Sequence, residues 1–226
     1  MKNVIITGAS GGIGKELALH FAKNNWNVIA TMLCLEQGKE LKELKNIHCY
    51  LLDVTSTESI SAAKQQILED FKTIDVVINN AGIGYRSFVE FSEDEEINNI
   101  VDVNWLGVVK VCRAFTPVFR MQKKGHTVQF GNTPSNFQKN VSKCDATPLK
   151  CYNELMHKIS GIVEGKTKKN VDLKQSIVEK VLKIAENPPK KFKRNTIGFD
   201  ANALNILRNF LGYQIFGRII RYSVFK

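Results

Sequence analysis

No apolar run in this 226-residue chain reaches the roughly 18 residues that span a bilayer. Residues 1–7 lead straight into strand-like sequence, without a charged, apolar, small-residue leader. Neither secretion nor membrane spanning is expected, and the expected location is the cytoplasm. Cysteine is scarce and odd in number. Cys34, Cys49, Cys112, Cys144 and Cys151 show neither C-x-x-C spacing nor a His at metal-ligand spacing. They read as reduced thiols, with no metal site expected. No internal repeat is evident. The 43% hydrophobic and 24% charged composition is that of an ordinary globular protein, and the length suits one core. A single domain over 1–226 is expected.

Charge of either sign is balanced in one part of the chain and not in the other. Residues 1–137 carry 14 Lys and Arg against 15 Asp and Glu, whereas residues 138–226 carry 18 against 7. The basic runs 166–169 and 190–194 suit an acidic partner, an acidic membrane surface or simply solvent. Nucleic acid is not favoured, because no nucleic-acid-binding motif accompanies them.

The first 120 residues alternate strand and helix signals with short connections, the pattern of a parallel, doubly wound sheet between two helical layers. Strands are expected near 2–7, 26–31, 47–51 and 74–79, and helices over 15–24 and 56–71. Short helical coverage falls near 35–44. A long helix over about 93–121 has acids in its first turns and bases at its end, with Pro117 as a kink and Gly125 as its stop. After a strand at 126–130 comes a polar stretch to Pro148, then helices over roughly 149–163 and 171–187. Residues 201–225 read as a basic amphipathic helix pair that packs on the sheet, on a sister subunit or against a membrane surface.

Between the apolar run Val4-Ile5-Ile6 and the first helix lies Thr7-Gly8-Ala9-Ser10-Gly11-Gly12-Ile13-Gly14. A turn of this kind brings backbone close to a phosphate group. Gly8 makes the tight turn, Gly12 admits the pyrophosphate, and Gly14 lets helix pack on strand. The helix N-terminus adds unpaired N–H groups and the positive end of its dipole. Asp53-Val54 follows the third strand, where the carboxylate either accepts from an adenine amino group or makes a turn ahead of the helix. Asn79-Asn80-Ala81-Gly82 follows the fourth strand and either leaves room for a flat ribose-nicotinamide or is an ordinary Asn/Gly turn. Asn104, with Gly107 after it, sits inside the long helix, a poor place for Asn. It marks a local kink or water site, or is an exposed Asn without a role.

In this order, these residues resemble the short-chain dehydrogenase/reductase family, closely over 1–124. Residues 190–221, with Gly198-Phe199-Asp200-Ala201, more loosely resemble the tail of its retinol- and steroid-active branch. The resemblance implies a Rossmann-like, three-layer α/β/α fold. It implies hydride transfer between NAD(P) and lipid-like alcohols or carbonyls, with small molecules as substrates and a homo-oligomer or protein partner. Gly8, Ser10, Gly12, Ile13 and Gly14 would hold pyrophosphate and ribose. Asp53 and Val54 would face adenine, Asn80, Ala81 and Gly82 the nicotinamide-side ribose, and Asn104 would be the one retained catalytic position. The end of the second strand, Ala30-Thr31-Met32-Leu33, has neither the acid that would select NAD nor a base that would select NADP. The missing acid, with Lys39 or Lys15 as the cation that would reach the site, favours NADP over NAD.

The family's proton chemistry needs a Tyr with a Lys four residues on, both on one helix face. Tyr50, Tyr85, Tyr152 and Tyr213 lack that Lys, and Tyr222-x-x-x-Lys226 falls at the far end of the chain. The strand at 126–130 aligns in two ways. As a fifth strand it puts Asn132 in the place of the family's Ser; as a sixth, Gly131 and Ser135 fall near the carboxamide. The second reading is favoured. It means that about one strand-helix unit is missing between Lys124 and His126, together with Ser, Tyr and Lys. The expectation is a shortened, catalytically impaired NAD(P)-binding protein. The alternatives are an oxidoreductase using Tyr85, His126 or Tyr152 beside Asn104, and a basic membrane- or partner-binding module on the same scaffold. With that unit gone, apolar surface on the Asn104 helix and a loosely ordered C-terminal half are expected.

Overall fold

The computed structural model describes residues 1–129, 142–143, 150–169, 171–189, 210–212, 214–218 and 222. Five strands form one parallel sheet in the order β3-β2-β1-β4-β6: β1 (Lys2–Ile6), β2 (Trp26–Met32), β3 (Ile47–Leu51), β4 (Val76–Asn79) and β6 (His126–Gln129). The central strand β1 is apolar on both faces, since Val4, Ile5 and Ile6 are all fully buried. Such a strand needs helices on both sides. Val4 and Ile6 pack with the inner faces of α1 (Gly12–Lys23) and α6 (Val171–Glu186). Ile5 and Val77 pack with α2 (Thr57–Asp70) and α4 (Gly107–Gln122). The result is the expected three-layer, doubly wound α/β architecture. The second crossover is made by two short 3₁₀ turns, Leu35–Gly38 and Leu41–Glu43, with Leu41 buried.

β6 pairs directly with β4, with His126 opposite Val76 and Gln129 opposite Asn79. It therefore takes the next place in the sheet after β4. Both readings of this strand put it there; Gly131, Asn132 and Ser135, which would separate them, lie outside the described residues.

The helix expected over 93–121 is three pieces. α3 (Asp94–Val101) runs into a π-helical turn, Asp102–Leu106, and then into α4. The break falls on Asn104, and a wide turn of this kind re-aims one side chain without ending the helix. Lys123, in the left-handed conformation at φ 54°, takes the C-cap position, two residues before Gly125. The outer face of this helix carries Ile97, Val101, Trp105 and Val109 at four-residue spacing, all exposed, with Trp105 at 64%. This is the uncovered apolar surface expected if a covering unit is missing, and a stripe of this kind is typical of contact surfaces.

The C-terminal part departs from expectation at α6. Ile177, Val178, Val181, Leu182 and Ala185 are at most 7% exposed and join the core cluster of α1. The periodic apolar face of 171–186 finds the α1 side of the sheet, so this segment is part of the core and not loosely attached. Two-residue strands β5 (Tyr85–Arg86) and β7 (Ser142–Lys143) pair in parallel. α5 (Lys150–Lys169) lies against the same region: Tyr152 stacks on Phe88 with ring centroids 4.2 Å apart and meets Phe91 edge-on. Residues 190–209 lie outside the described residues. Among the described residues no helix is long and apolar enough to cross a membrane.

Candidate functional site

The strand order reverses between β1 and β4: from β1 the chain moves to β2 and β3 on one side, then returns to β4 on the other. A crevice opens at the carboxyl ends of the strands at such a point. The glycine-rich turn after β1 and the Asn-Asn-Ala-Gly turn after β4 both end there.

The first turn is held by neighbours on both sides, with Thr7 N donating to Ile78 O at 3.0 Å and Ala9 N to Thr31 O at 2.9 Å. Gly8 and Gly12 have φ of +64° and +56°, a region costly for residues with a Cβ. A Cβ on Gly8 would lie 2.9 Å from Ala81 Cα, and one on Gly14 would strike Gly8 O and stand 2.5 Å from Asn80 Nδ2. The three glycines thus let the two turns and α1 close on one another, as the motif requires. At the start of α1, Gly11 supplies no side-chain cap, and the first turn holds no acid. Its N–H groups are therefore left without a side-chain cap or a carboxylate in the first turn, the arrangement that suits an anion. Ser10 is half-buried beside them, whereas the Ile13 side chain turns into the core at 6% exposure. Ile13 can thus offer the site only backbone.

Thr7, read from sequence only as part of the motif, is the hub between the turns. Its hydroxyl accepts from the backbone N–H of both Asn80 and Ala81 at 3.0 Å. Asn80 Nδ2 returns two bonds, to Thr7 O at 2.8 Å and Gly8 O at 3.1 Å. Asn80 is thus more than an ordinary turn residue, because its amide fixes the carbonyls of the phosphate-side turn. Asn104 has a role of the same kind. Its Oδ1 accepts from Ile83 N at 2.9 Å and its Nδ2 donates to Ile83 O at 2.8 Å, which clamps the segment beyond Gly82 to the π-helical turn. It is half-buried, and the reading of an exposed Asn without a role falls.

Asp53 serves the turn that the sequence allowed. Its Oδ1 accepts from Thr55 N at 2.8 Å and Thr55 Oγ1 at 2.7 Å, while Ser56 caps α2 by accepting from Ser59 N. Those bonds engage Oδ1 alone, so the turn role does not use up the carboxylate. The Val54 side chain is 7% exposed and packs in the core, where a Cβ on Gly107 would stand 2.8 Å from its Cγ2, so this residue has only backbone to offer the crevice. Of this pair only Asp53 presents a side chain to the crevice.

Of the substitute proton donors, His126 is placed away from the crevice. His126 starts β6, so it lies at the amino end of the strand, three positions and about 10 Å before the level of Asn79. Tyr85 Oη accepts from Glu93 N ahead of α3, and the Tyr152 ring is held between Phe88 and Phe91. Tyr222 is described and exposed, but Lys226 lies outside the described residues. Lys15 pairs with Glu40, and Lys39 with Glu36 at 2.7 Å, so both cations near the end of β2 already face acids. Lys15 holds the Glu40 carboxyl below its ordinary range through a hydrogen bond and its charge. Leu33 and Cys34, which follow β2, are exposed.

His126 has a measurable consequence away from the site. Its Nε2 is buried without a hydrogen-bond partner. Burial lowers its pKa below the usual value, Lys2 adds to the lowering, and Asp75 opposes it. The unfolded chain takes up this proton near pH 6.5 while the folded chain stays neutral, so stability falls as pH drops through that value. It levels off once the folded imidazole is also protonated. Urea midpoints at pH 8 and 5.5 are expected to differ less in His126→Gln than in the wild type, and an unchanged difference would exclude this His as a source.

Comparison with known proteins agrees with this geometry. The model of the short chain dehydrogenase family matches residues 2–141. The 3-ketodihydrosphingosine reductase of Bacteroides thetaiotaomicron is 30% identical over 129 residues, 57% of this chain and 46% of that protein. Human dehydrogenase/reductase SDR family member 7 is 33% identical over 136 residues, 55% of this chain and 40% of that one. The alcohol dehydrogenase of the archaeon Thermococcus sibiricus, solved with 5-hydroxy-NADP, superposes with a TM-score of 0.55 at 30% identity, over 57% of each chain. The 3-ketoacyl-(acyl-carrier-protein) reductase of Brucella melitensis, solved with NADH, gives 0.54 at 28% identity, over 57% of this chain and 55% of that one. The chain spans about half the length of the curated relatives it matches.

Proposed function

Because the chain belongs to the short chain dehydrogenase family, we propose that it holds NADP(H) in the crevice between β1 and β4 and lacks the proton chemistry of an intact alcohol–carbonyl oxidoreductase. The observation that carries this reading is the joint closure of the two turns. Gly8 and Gly14 leave space that any Cβ would fill, Gly12 takes a positive φ, and Thr7 and Asn80 hold the opposing backbone in place. Those residues fit a dinucleotide: the α1 N-terminus takes the pyrophosphate, Asp53 the adenine, and the Asn80–Gly82 turn the nicotinamide side. The bound group would supply hydride. The chain's part is to bind and orient it.

NADP is preferred to NAD because the end of β2, Ala30-Thr31-Met32-Leu33, holds no carboxylate to repel a 2′-phosphate. Among the described residues, Lys15 and Lys39 pair with exposed acids, Glu40 and Glu36. Exposed pairs of this kind contribute little, so a phosphate can take over either Lys. Loss of proton transfer rests on the sequence, whose one Tyr-x-x-x-Lys is at 222–226, and on His126 lying at the amino end of β6, away from the crevice.

The test is a fluorescence titration with NADPH and NADH, followed by turnover assays on alcohols and ketones, long-chain lipid-like ones first. NADPH is expected to saturate the protein at lower concentration than NADH. Turnover is expected to fall short of a site with its acid by about 10²–10⁴-fold. Ordinary turnover would make the protein an oxidoreductase with another proton donor, and failure to bind either dinucleotide would remove the cofactor reading.

A further inference from the structure

One side chain that the dinucleotide reading does not use is placed to act on its adenine end. Lys110, the fourth residue of α4, donates from Nζ to Thr55 O at 2.6 Å across 55 residues of sequence. Thr55 is the residue whose N–H and hydroxyl both bond to Asp53 Oδ1. Its carbonyl is thus the far side of the turn that fixes the Asp53 carboxylate. The near side is anchored through Leu52 N to Met32 O at 2.9 Å, and Asp53 N donates to Ser59 Oγ at 2.9 Å. The approach of α4 to this turn depends on Gly107, where a Cβ would strike Val54.

Resting on the dinucleotide reading above, we infer that Lys110 is a positioning residue for the adenine subsite, acting through Thr55 on the carboxylate of Asp53. With Asn104 gripping Ile83, the same helix then holds both ends of the crevice: Asn104 the nicotinamide side, Lys110 the adenine side. The spacing Asn104, Gly107, Lys110 puts the two grips and the close contact on successive turns. A Met at 110 keeps the length of the stem but makes no bond to Thr55 O. That carbonyl is then left to water, and the Asp53 turn is free to rotate its carboxylate away from the amino group it is to meet. An Arg keeps both charge and donors, and reaches the same oxygen.

The experiment measures competition by 5′-AMP and by nicotinamide mononucleotide against NADPH bound to the wild type, Lys110→Met and Lys110→Arg, with thermal unfolding followed in parallel. Lys110→Met is expected to weaken NADPH and 5′-AMP by about tenfold, the loss of one charge-assisted hydrogen bond. Nicotinamide mononucleotide should be unaffected, and Lys110→Arg should return 5′-AMP to within about threefold of the wild type. Equal 5′-AMP affinity in wild type and Lys110→Met overturns the inference. Equal weakening of both fragments also overturns it, because that is what a general loosening of the fold produces. If the wild type binds no NADPH at all, the underlying reading falls and this one with it. A wild type that binds while the variants do not differ removes Lys110 alone.

Discussion

Gly14→Val is expected to abolish measurable NADPH binding, a loss of at least about 100-fold, and to lower stability by about 1–3 kcal/mol, the usual cost of forcing extra atoms into a filled site. The residues in the way cannot yield. A Cβ at position 14 meets the carbonyl of Gly8 and the Nδ2 of Asn80, and Gly8 has the φ of +64° that sets the turn. Asn80 Nδ2 is tied to two carbonyls of the phosphate-side turn. To admit the side chain, either α1 moves off β1 or Asn80 releases both bonds, and each spoils the surface that would receive the pyrophosphate. Gly11→Ala is the control, since nothing lies within 4 Å of a Cβ there and the backbone is extended. It should bind within about threefold of the wild type. Isothermal titration of both variants, with unfolding curves, separates lost binding from lost fold; full binding by Gly14→Val would show that the helix is not packed as described.

Val181→Asp should unfold the protein or strip α6 from it, costing more than about 4 kcal/mol against a typical total of 5–15 kcal/mol. Val181 is 2% exposed among Ile177, Val178, Leu182 and Ala185, on the face that meets α1. A carboxylate there loses water without gaining a partner, which is among the costliest changes a core can suffer. Glu179, on the exposed face of the same helix, can be replaced by Ala with little change. Urea midpoints decide the matter, and limited proteolysis should newly open residues 171–186 in the Asp variant. An unmoved midpoint would mean that the chain folds without α6.

Much of the site could be read from residue types because it depends on what glycine and asparagine alone can do. A positive φ at Gly8 and a shared boundary at Gly14 are conditions on single residues, visible in the spacing of the motif. The same holds for the first four strands, whose apolar runs are short and bounded by turns. The direction of a side chain was not readable in this way. Val54 and Ile13 stand at the right place in the chain, yet both turn inward, because on a strand end and a helix start the buried face is set by what packs there. Thr7 and Lys110 were missed for a related reason. Their partners, Asn80 and Thr55, lie 73 and 55 residues away, and no local pattern records a bond of that range. The one available signal was chemical, a hydroxyl directly ahead of the turn glycine. His126 shows the converse: its residue type suited proton chemistry, and its position at the amino end of β6 removes it.

The β-α alternation, the glycine-rich turn after β1 and a single Tyr-x-x-x-Lys, at 222–226, are legible in the sequence, because each follows from local periodicity or from residue identity. Three contacts come from the tertiary structure: β6 pairs with β4, α6 completes the core over α1, and Lys110 of α4 bonds to the turn that carries Asp53. Those contacts join segments far apart in the chain, and an apolar face or an amide specifies that it needs a partner without specifying which one.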